Sequence, residues 1–203
     1  HTPQARKMLL GSGIPVVEVW DMTESPIDVC VGFSHAEAGR HVAEFAVQAG
    51  YARAAGVAAN DHRALRRQAA FASRFEALTG SDVPTVTLRD HATIKGGRAA
   101  LAELLDRHGP GLGVVFCSSD IIAQGILLEA QARGLRVPQD VAVIGFGDQD
   151  FAAHLEPSLS SVHVDRRRIG QDAAQALLDR LDGGATGPVT IDLGFSISRR
   201  HSA

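Results

Sequence analysis

Lysine is almost missing from this chain. Lys7 and Lys95 are the only two among 203 residues, so the 20 basic side chains are nearly all arginines, scattered among 23 acidic ones for a net charge of −3. A surface that grips phosphate backbones unaided shows a basic stripe. None runs through this sequence, so the chain is not expected to hold nucleic acid directly. Cysteine is equally scarce, with Cys30 and Cys117 alone, each at the end of an apolar run. They read as free buried thiols; a disulfide between them is the alternative, unusual in a cytosolic protein. The apolar runs fall far short of the ~20 residues that a membrane span needs. No charged, apolar, cleavable leader opens the chain. A soluble cytoplasmic protein without a membrane partner is expected.

The signatures of catalysis are missing too. There is no G-x-x-x-x-G-K-[ST] phosphate loop and no G-x-S-x-G nucleophile elbow. Gly145-Phe146-Gly147 is followed by Asp148 rather than by a dinucleotide fingerprint. Nine histidines are present, none with metal-ligand spacing. No catalytic residue, metal or cofactor is expected. His35, at a strand–helix junction, reads as structural or hinge-forming.

What is present is an alternation of short apolar runs with helical periodicity. Strands are expected over Pro15–Trp20, Ile27–Phe33, Ala54–Ala59, Pro84–Leu88, Gly113–Phe116, Val141–Phe146, Ser160–Val164 and Val189–Ile197. Helices are expected over Ala36–Ala49, Arg63–Leu78, Thr93–His108, Asp120–Arg133 and Arg166–Leu181. In the first of these, Ala38, Val42, Phe45, Ala46 and Ala49 share a face at 3–4 residue spacing. Thr2–Leu10 reads as the second half of a helix. This is the pattern of an α/β protein with parallel sheets flanked by helices. The one flexible tract is Asp182–Pro188. The repeated helix–strand units between His35 and Gly147 make one lobe. The flanking segments fit a second lobe that looks incomplete.

Open α/β sheets bind ligands beyond the carboxyl ends of their strands. Those ends carry Trp20-Asp21, Phe33-Ser34, Asn60-Asp61 followed by Arg67, Ser118-Ser119-Asp120, and Asp148 with Asp150. Carboxylates accept hydroxyl protons, an arginine fork donates two parallel bonds, and an aromatic ring covers the apolar face of a sugar. Such a set binds a small polyol without breaking a bond. Each residue also has a plainer reading. Trp20 is a half-buried hydrophobe, Arg67 belongs to a solvated helix face beside Arg66, Asp148 is a turn residue, and Asp61 and Ser119 are helix caps.

Several phrases stand in order: Phe33-Ser34-His35 with Gly39; Arg66-Arg67-Gln68-Ala69-Ala70-Phe71; Phe116-Cys117-Ser118-Ser119-Asp120 with Ala123 and Gly125; the run from Gly134 to Phe146, which reads G-L-x-V-P-x-D-V-x-V-I-G-F; and Pro157-Ser158-Leu159-Ser160-Ser161-Val162. Together they resemble the regulatory core of the lactose/galactose-repressor family, from about Pro15 to Arg199. The wording around Val16–Asp21 and Gly145–Phe151 is similar to gluconate-operon repressors. The resemblance implies a two-lobed fold like the periplasmic sugar-binding proteins, with an effector held between lobes. The lobes would comprise residues 1–33 with 162–182, and 34–160 with 188–199. A helix-turn-helix domain, absent from this chain, would meet operator DNA, and the regulator would act as a homodimer.

By position, the resemblance makes Arg67 the effector-binding arginine of an R-x-x-G-F pattern, although Ala70 replaces the glycine. Ser119 takes a polar contact position, with Asp120 following as expected. The carboxylate expected in the cleft falls on Gly147, with Asp148 next. Trp20, Asp21, Phe33, Arg67, Ser119, Asp120 and Asp148 are therefore the candidate ligand-binding residues. Losing a carboxylate while keeping Arg67 favours a sugar acid such as gluconate. A transport-linked sugar-binding protein and an α/β sugar-phosphate enzyme are the competing readings.

Overall fold

The computed structural model describes residues 1–89, 91–184 and 187–203. In chain order its elements are α1 (Pro3–Gly11), β1 (Val17–Val19), β2 (Val29–Gly32), α2 (His35–Gln48), β3 (Ala54–Ala58), α3 (His62–Thr79), β4 (Thr85–Thr87) and α4 (Ile94–His108). They continue as β5 (Val114–Cys117), α5 (Asp120–Ala132), β6 (Ala142–Gly147), a 3₁₀ turn (Asp150–His154), β7 (Ser160–His163), α6 (Arg166–Leu181), β8 (Val189–Asp192) and β9 (Ser196–Ser198). The chain forms two compact units, His1–Ser34 with Asp165–Phe195 and His35–Val164 with Ser196–Ala203.

The larger unit is built on a six-stranded sheet in the order β4-β3-β5-β6-β7-β9, parallel except for β9 against β7. Strands β3 and β5 are buried along their whole length, the mark of a parallel sheet covered on both faces. Alternation along β5 sends Val115 and Cys117 into a cluster with Leu101, Leu104, Ile122 and Ile126 of α4 and α5. Phe116 points the other way, its ring 5.0 Å from that of Phe71 on α3. The helices therefore cover opposite faces of the sheet.

The smaller unit carries the parallel sheet β1-β2-β8. Arg180 of α6 ties the helix to it, donating to Asp28 just ahead of β2 at 2.7 Å. No helix among the described residues is long and apolar enough to cross a membrane.

Three expectations need revision. The run Val189–Ile197 is not one strand. Asp192 accepts the N–H of Gly194 at 2.9 Å, and Gly194 turns left-handed at φ 63, so the chain bends between β8 and β9. The pieces join different sheets: Val189 pairs with Val29, and Ile197 with Val162. The unit boundaries move accordingly. Segment 188–195 belongs with the smaller unit and the whole of β7 with the larger. Finally, α1 has its own start, with Thr2 Oγ1 accepting from Ala5 N–H at 3.2 Å and Pro3 opening the first turn. Of the tract 182–188, Ala185 and Thr186 lie outside the described residues.

Candidate functional site

The carboxyl ends of β3, β5 and β6 form one rim of the larger sheet. After β3, Asp61 caps α3 by accepting from Ala64 N–H at 2.9 Å, which fixes where the helix begins. Arg67, in the second turn, points inward and is only 6% exposed. It donates from Nη1 to Nδ1 of His35 and from Nη2 to the Ser118 carbonyl, both at 2.8 Å. Its guanidinium carbon lies 3.8 Å from the centre of the Phe146 ring, a cation–π contact. An arginine has no lone pair to offer, so His35 must accept. That makes the buried imidazole neutral, with its proton on Nε2. Arg67 is thus not a solvated helix residue but a cation fixed by three other segments.

After β5, the Ser118 hydroxyl accepts from Ala59 N–H at 2.9 Å, joining two strand tips. Ser119 is half-buried and caps α5, accepting from Ile122 N–H at 3.4 Å. Asp120, expected at the rim, is withdrawn from it and has no exposed surface. Its carboxylate accepts from the Ser161 hydroxyl and from Gln149 N–H, both at 2.6 Å. Gly145 makes room, since a Cβ there would stand 2.2 Å from Asp120 Oδ1. Asp120 holds the sheet's edge and the loop after β6, and a ligand would meet those rather than the carboxylate.

Asp148, in that loop, has left-handed backbone at φ 47. Its carboxylate accepts from Ser198 Oγ at 2.9 Å and His163 Nδ1 at 3.0 Å, and pairs with Arg200 at 2.7 Å. Burial pushes its pKa up, but Arg200, Ser198 and His163 together hold it below the ordinary value. Asp148 is therefore ionised and locally neutralised. Ser198 and His163 bond the same carboxylate oxygen, so the hydroxyl is not activated by the imidazole in the manner of a catalytic triad.

In the smaller unit, Trp20 follows β1 with φ 74 and donates its N–H to Val31 at 3.1 Å. Left-handed backbone is uncommon for a bulky residue, and strain of about 1–3 kcal/mol of this kind gathers at functional positions. Among the described residues the non-glycine positions with positive φ are Trp20 and Asp148, each just after a strand. Asp21 accepts from Met22 N–H at 2.9 Å. Its backbone lies so close to β2 that a Cβ on Gly32 would stand 2.5 Å from its carbonyl oxygen. Phe33 has no exposed surface, and its ring meets that of Phe195 edge-on at 6.4 Å. It reads as core.

The structure thus places Ser119 and Asp148 just beyond the ends of β5 and β6, brings Arg67 of α3 against Ser118 and Phe146 at those ends, and withdraws Asp120 and Phe33 from solvent. Sequence reasoning missed His163, Ser198 and Arg200 around Asp148. They arrive through β7 and the antiparallel return of β9, a pairing with no local signal. A separate hollow of about 560 Å³ opens at the opposite ends of the strands, beside Arg53, Glu76, Asp82 and His108, and shares no residue with the rim. Among the described residues no group of three His, Cys, Asp or Glu side chains is placed to hold a metal ion.

Residues 43–203 match the periplasmic binding protein-like domain family. The HTH-type transcriptional regulator GntR of Escherichia coli K12 is 34% identical over 199 residues, spanning 98% of this chain and 60% of the regulator. The chain therefore spans about three-fifths of the length of that relative. The crystal structure of the transcription regulator GntR from Chromobacterium violaceum superposes with a TM-score of 0.91 at 29% identity, over 100% of this chain and 74% of that one. A complex of the transcriptional regulator CelR with cellobiose gives 0.84 at 28% identity, over 100% of this chain and 63% of that one.

Proposed function

The chain belongs to the periplasmic binding protein-like family, in the form that LacI-type regulators carry, and from that premise we propose that it is the effector-sensing core of a transcription repressor. The effector is a small carbohydrate, held unchanged at the rim where β3, β5 and β6 end. Arg67 supplies a fixed cation and Ser119 a hydroxyl. A carbohydrate ligand is in keeping with the cellobiose bound to CelR.

The single observation that carries this reading is the buried Arg67 guanidinium, braced by His35, the Ser118 carbonyl and the Phe146 ring. A cation already held in place donates to a ligand without first being ordered. Two of the candidate carboxylates at this rim are not free to oppose an acid, because Asp120 is fully buried and Asp148 is matched by Arg200. A sugar acid such as gluconate is therefore the preferred effector. Like charges facing each other in a desolvated site would otherwise penalise it.

Regulation follows by linkage. An effector that binds one arrangement of the protein better shifts the population toward it. A coupling of about 1–3 kcal/mol changes operator affinity by about 5–150-fold. Operator DNA and a second copy of the chain are the partners proposed for the whole regulator, and the cytoplasm is its place of action.

Titration calorimetry of the 203-residue chain with gluconate and with neutral hexoses tests the reading, with the ligand recovered afterwards and examined for turnover. Gluconate is expected to bind and to be recovered intact. Binding of neutral hexoses alone removes the preference for an acid, and turnover of any of them ends the reading as a sensor.

A further inference from the structure

We infer that Asp148 is a positioning residue: its carboxylate ties the end of β7 to β9, so that the second and third passages between the two units leave the larger one as a linked pair. The link to an effector rests on the sensor reading above; the tie itself does not.

The chain leaves the larger unit after Val164, just past β7, and returns to it at Ser196, the first residue of β9. The two strands pair antiparallel, with His163 opposite Ser196 and Ser161 opposite Ser198. Strand β9 is short, stands at the sheet's edge and buries none of its residues fully. Ladder bonds and apolar contact alone hold such a strand weakly. Side chains make up the difference. Asp148, in the loop after β6, reaches over β7 to β9. One carboxylate oxygen accepts from the Ser198 hydroxyl at 2.9 Å and from His163 Nδ1 at 3.0 Å, and the other pairs with Arg200 at 2.7 Å. Arg200 in turn donates its backbone N–H to Ser160 Oγ at 2.8 Å and its guanidinium to the Leu159 carbonyl at 2.6 Å. The Asp148 N–H donates to Ser161 Oγ at 3.1 Å. Strands β6, β7 and β9 are thus laced where the chain crosses.

The Asp148 side chain is only 11% exposed, and both its oxygens are engaged. It is placed to hold protein donors rather than a solvated ligand. Its backbone, at φ 47, is one that Asp and Asn accept more readily than other side chains. Asp148→Asn therefore removes the charge and leaves the backbone preference alone. Two connections tied at their roots respond together to whatever bends either of them. An effector bound at the rim changes both or neither.

Deuterium exchange of backbone amides in 160–164 and 196–200, read by mass spectrometry, tests this on the wild-type chain, Asp148→Ala, Asp148→Asn and Ser198→Ala, with and without gluconate. Asp148→Ala is expected to speed exchange in both segments about tenfold, as loss of a hydrogen bond to a charged group implies, while β3 and β5 exchange as in the wild type. Asp148→Asn keeps an acceptor for Ser198 but no charge for Arg200, and should fall between. Ser198→Ala, which leaves the carboxylate in place and keeps the test open if Asp148→Ala does not fold, should speed exchange in β7 as well as β9. Gluconate should slow both segments by a common factor in the wild type and by different factors in Asp148→Ala. Loosening of one segment alone, or wild-type exchange in the Asp148 variants, overturns the inference. If Asp148→Asn exchanges as the wild type yet loses gluconate as Arg67→Ala does, Asp148 is an effector contact instead, and the sensor reading stands. If the wild-type chain binds neither gluconate nor a neutral hexose, the sensor reading falls, and exchange without ligand still decides the tie.

Discussion

A single buried carboxylate can hold together a strand, a loop and a helix, and Asp120 does so here. From the first position of α5 it reaches the Ser161 hydroxyl and Gln149 N–H. Replacing it with alanine leaves the buried Ser161 hydroxyl and the half-buried Gln149 N–H without this acceptor. Asp120→Ala is expected to lower stability by about 2–4 kcal/mol, measured by urea unfolding. An unchanged midpoint would contradict the assignment. In the sequence Asp120 looks like an acid suited to a helix N-terminus, which says nothing of where its oxygens go. Arg67 was legible because its phrase is distinctive, although its burial was not. Surface ionisation offers a different residue-scale test. Arg136 bonds Asp140 through its side chain and its backbone N–H, and these bonds depress the acid's pKa from 3.8 to about 2. A depressed folded pKa means that the contribution to stability is complete above the ordinary carboxylate range. It is lost as pH falls through about 2. A carboxyl-carbon NMR titration should find the Asp140 midpoint near that value, and Arg136→Ala should return it toward the ordinary one.

Helices meet through glycines in this fold. A Cβ on Gly97 of α4 would stand 2.2 Å from the Ile122 carbonyl oxygen, and one on Gly125 of α5 would stand 2.2 Å from that of Ile94. Both clashes are with backbone, so a whole helix must move. Gly97→Ala and Gly125→Ala are each expected to cost about 1–3 kcal/mol. Because the two glycines face the same contact, the double variant should cost less than the sum, read from a thermal or urea double-mutant cycle. Additive losses would mean that the contacts are independent. At this scale the sequence was most readable, since apolar periodicity located each helix and strand to within a few residues. Its main error, reading Val189–Ile197 as one strand, came from weighing an alternating pattern above Asp192-Leu193-Gly194. An Asp two residues before a Gly was the available turn signal.

For the molecule as a whole, the chain passes between its two units after Ser34, after Val164 and after Phe195. The first passage was legible to within a residue. The other two depend on which strands β7, β8 and β9 pair with, and pairing partners far apart in sequence leave no local mark. The end of the chain illustrates this. Ser202 is fully buried, donates to the Val143 carbonyl at 2.6 Å and accepts from Ser160 N–H at 2.8 Å, so it stitches β6 to β7. Nothing in a terminal His-Ser-Ala foretells it.

The account stands or falls on whether Arg67 holds an effector. Calorimetry with gluconate on the wild-type chain, Arg67→Ala and Arg67→Lys measures this directly, with urea unfolding run on each variant. The account predicts that Arg67→Ala loses about 2–5 kcal/mol of binding. Arg67→Lys, which keeps the charge but cannot fork between His35 and Ser118, should fall between the two. A folded Arg67→Ala chain that binds gluconate as tightly as the wild type would contradict it.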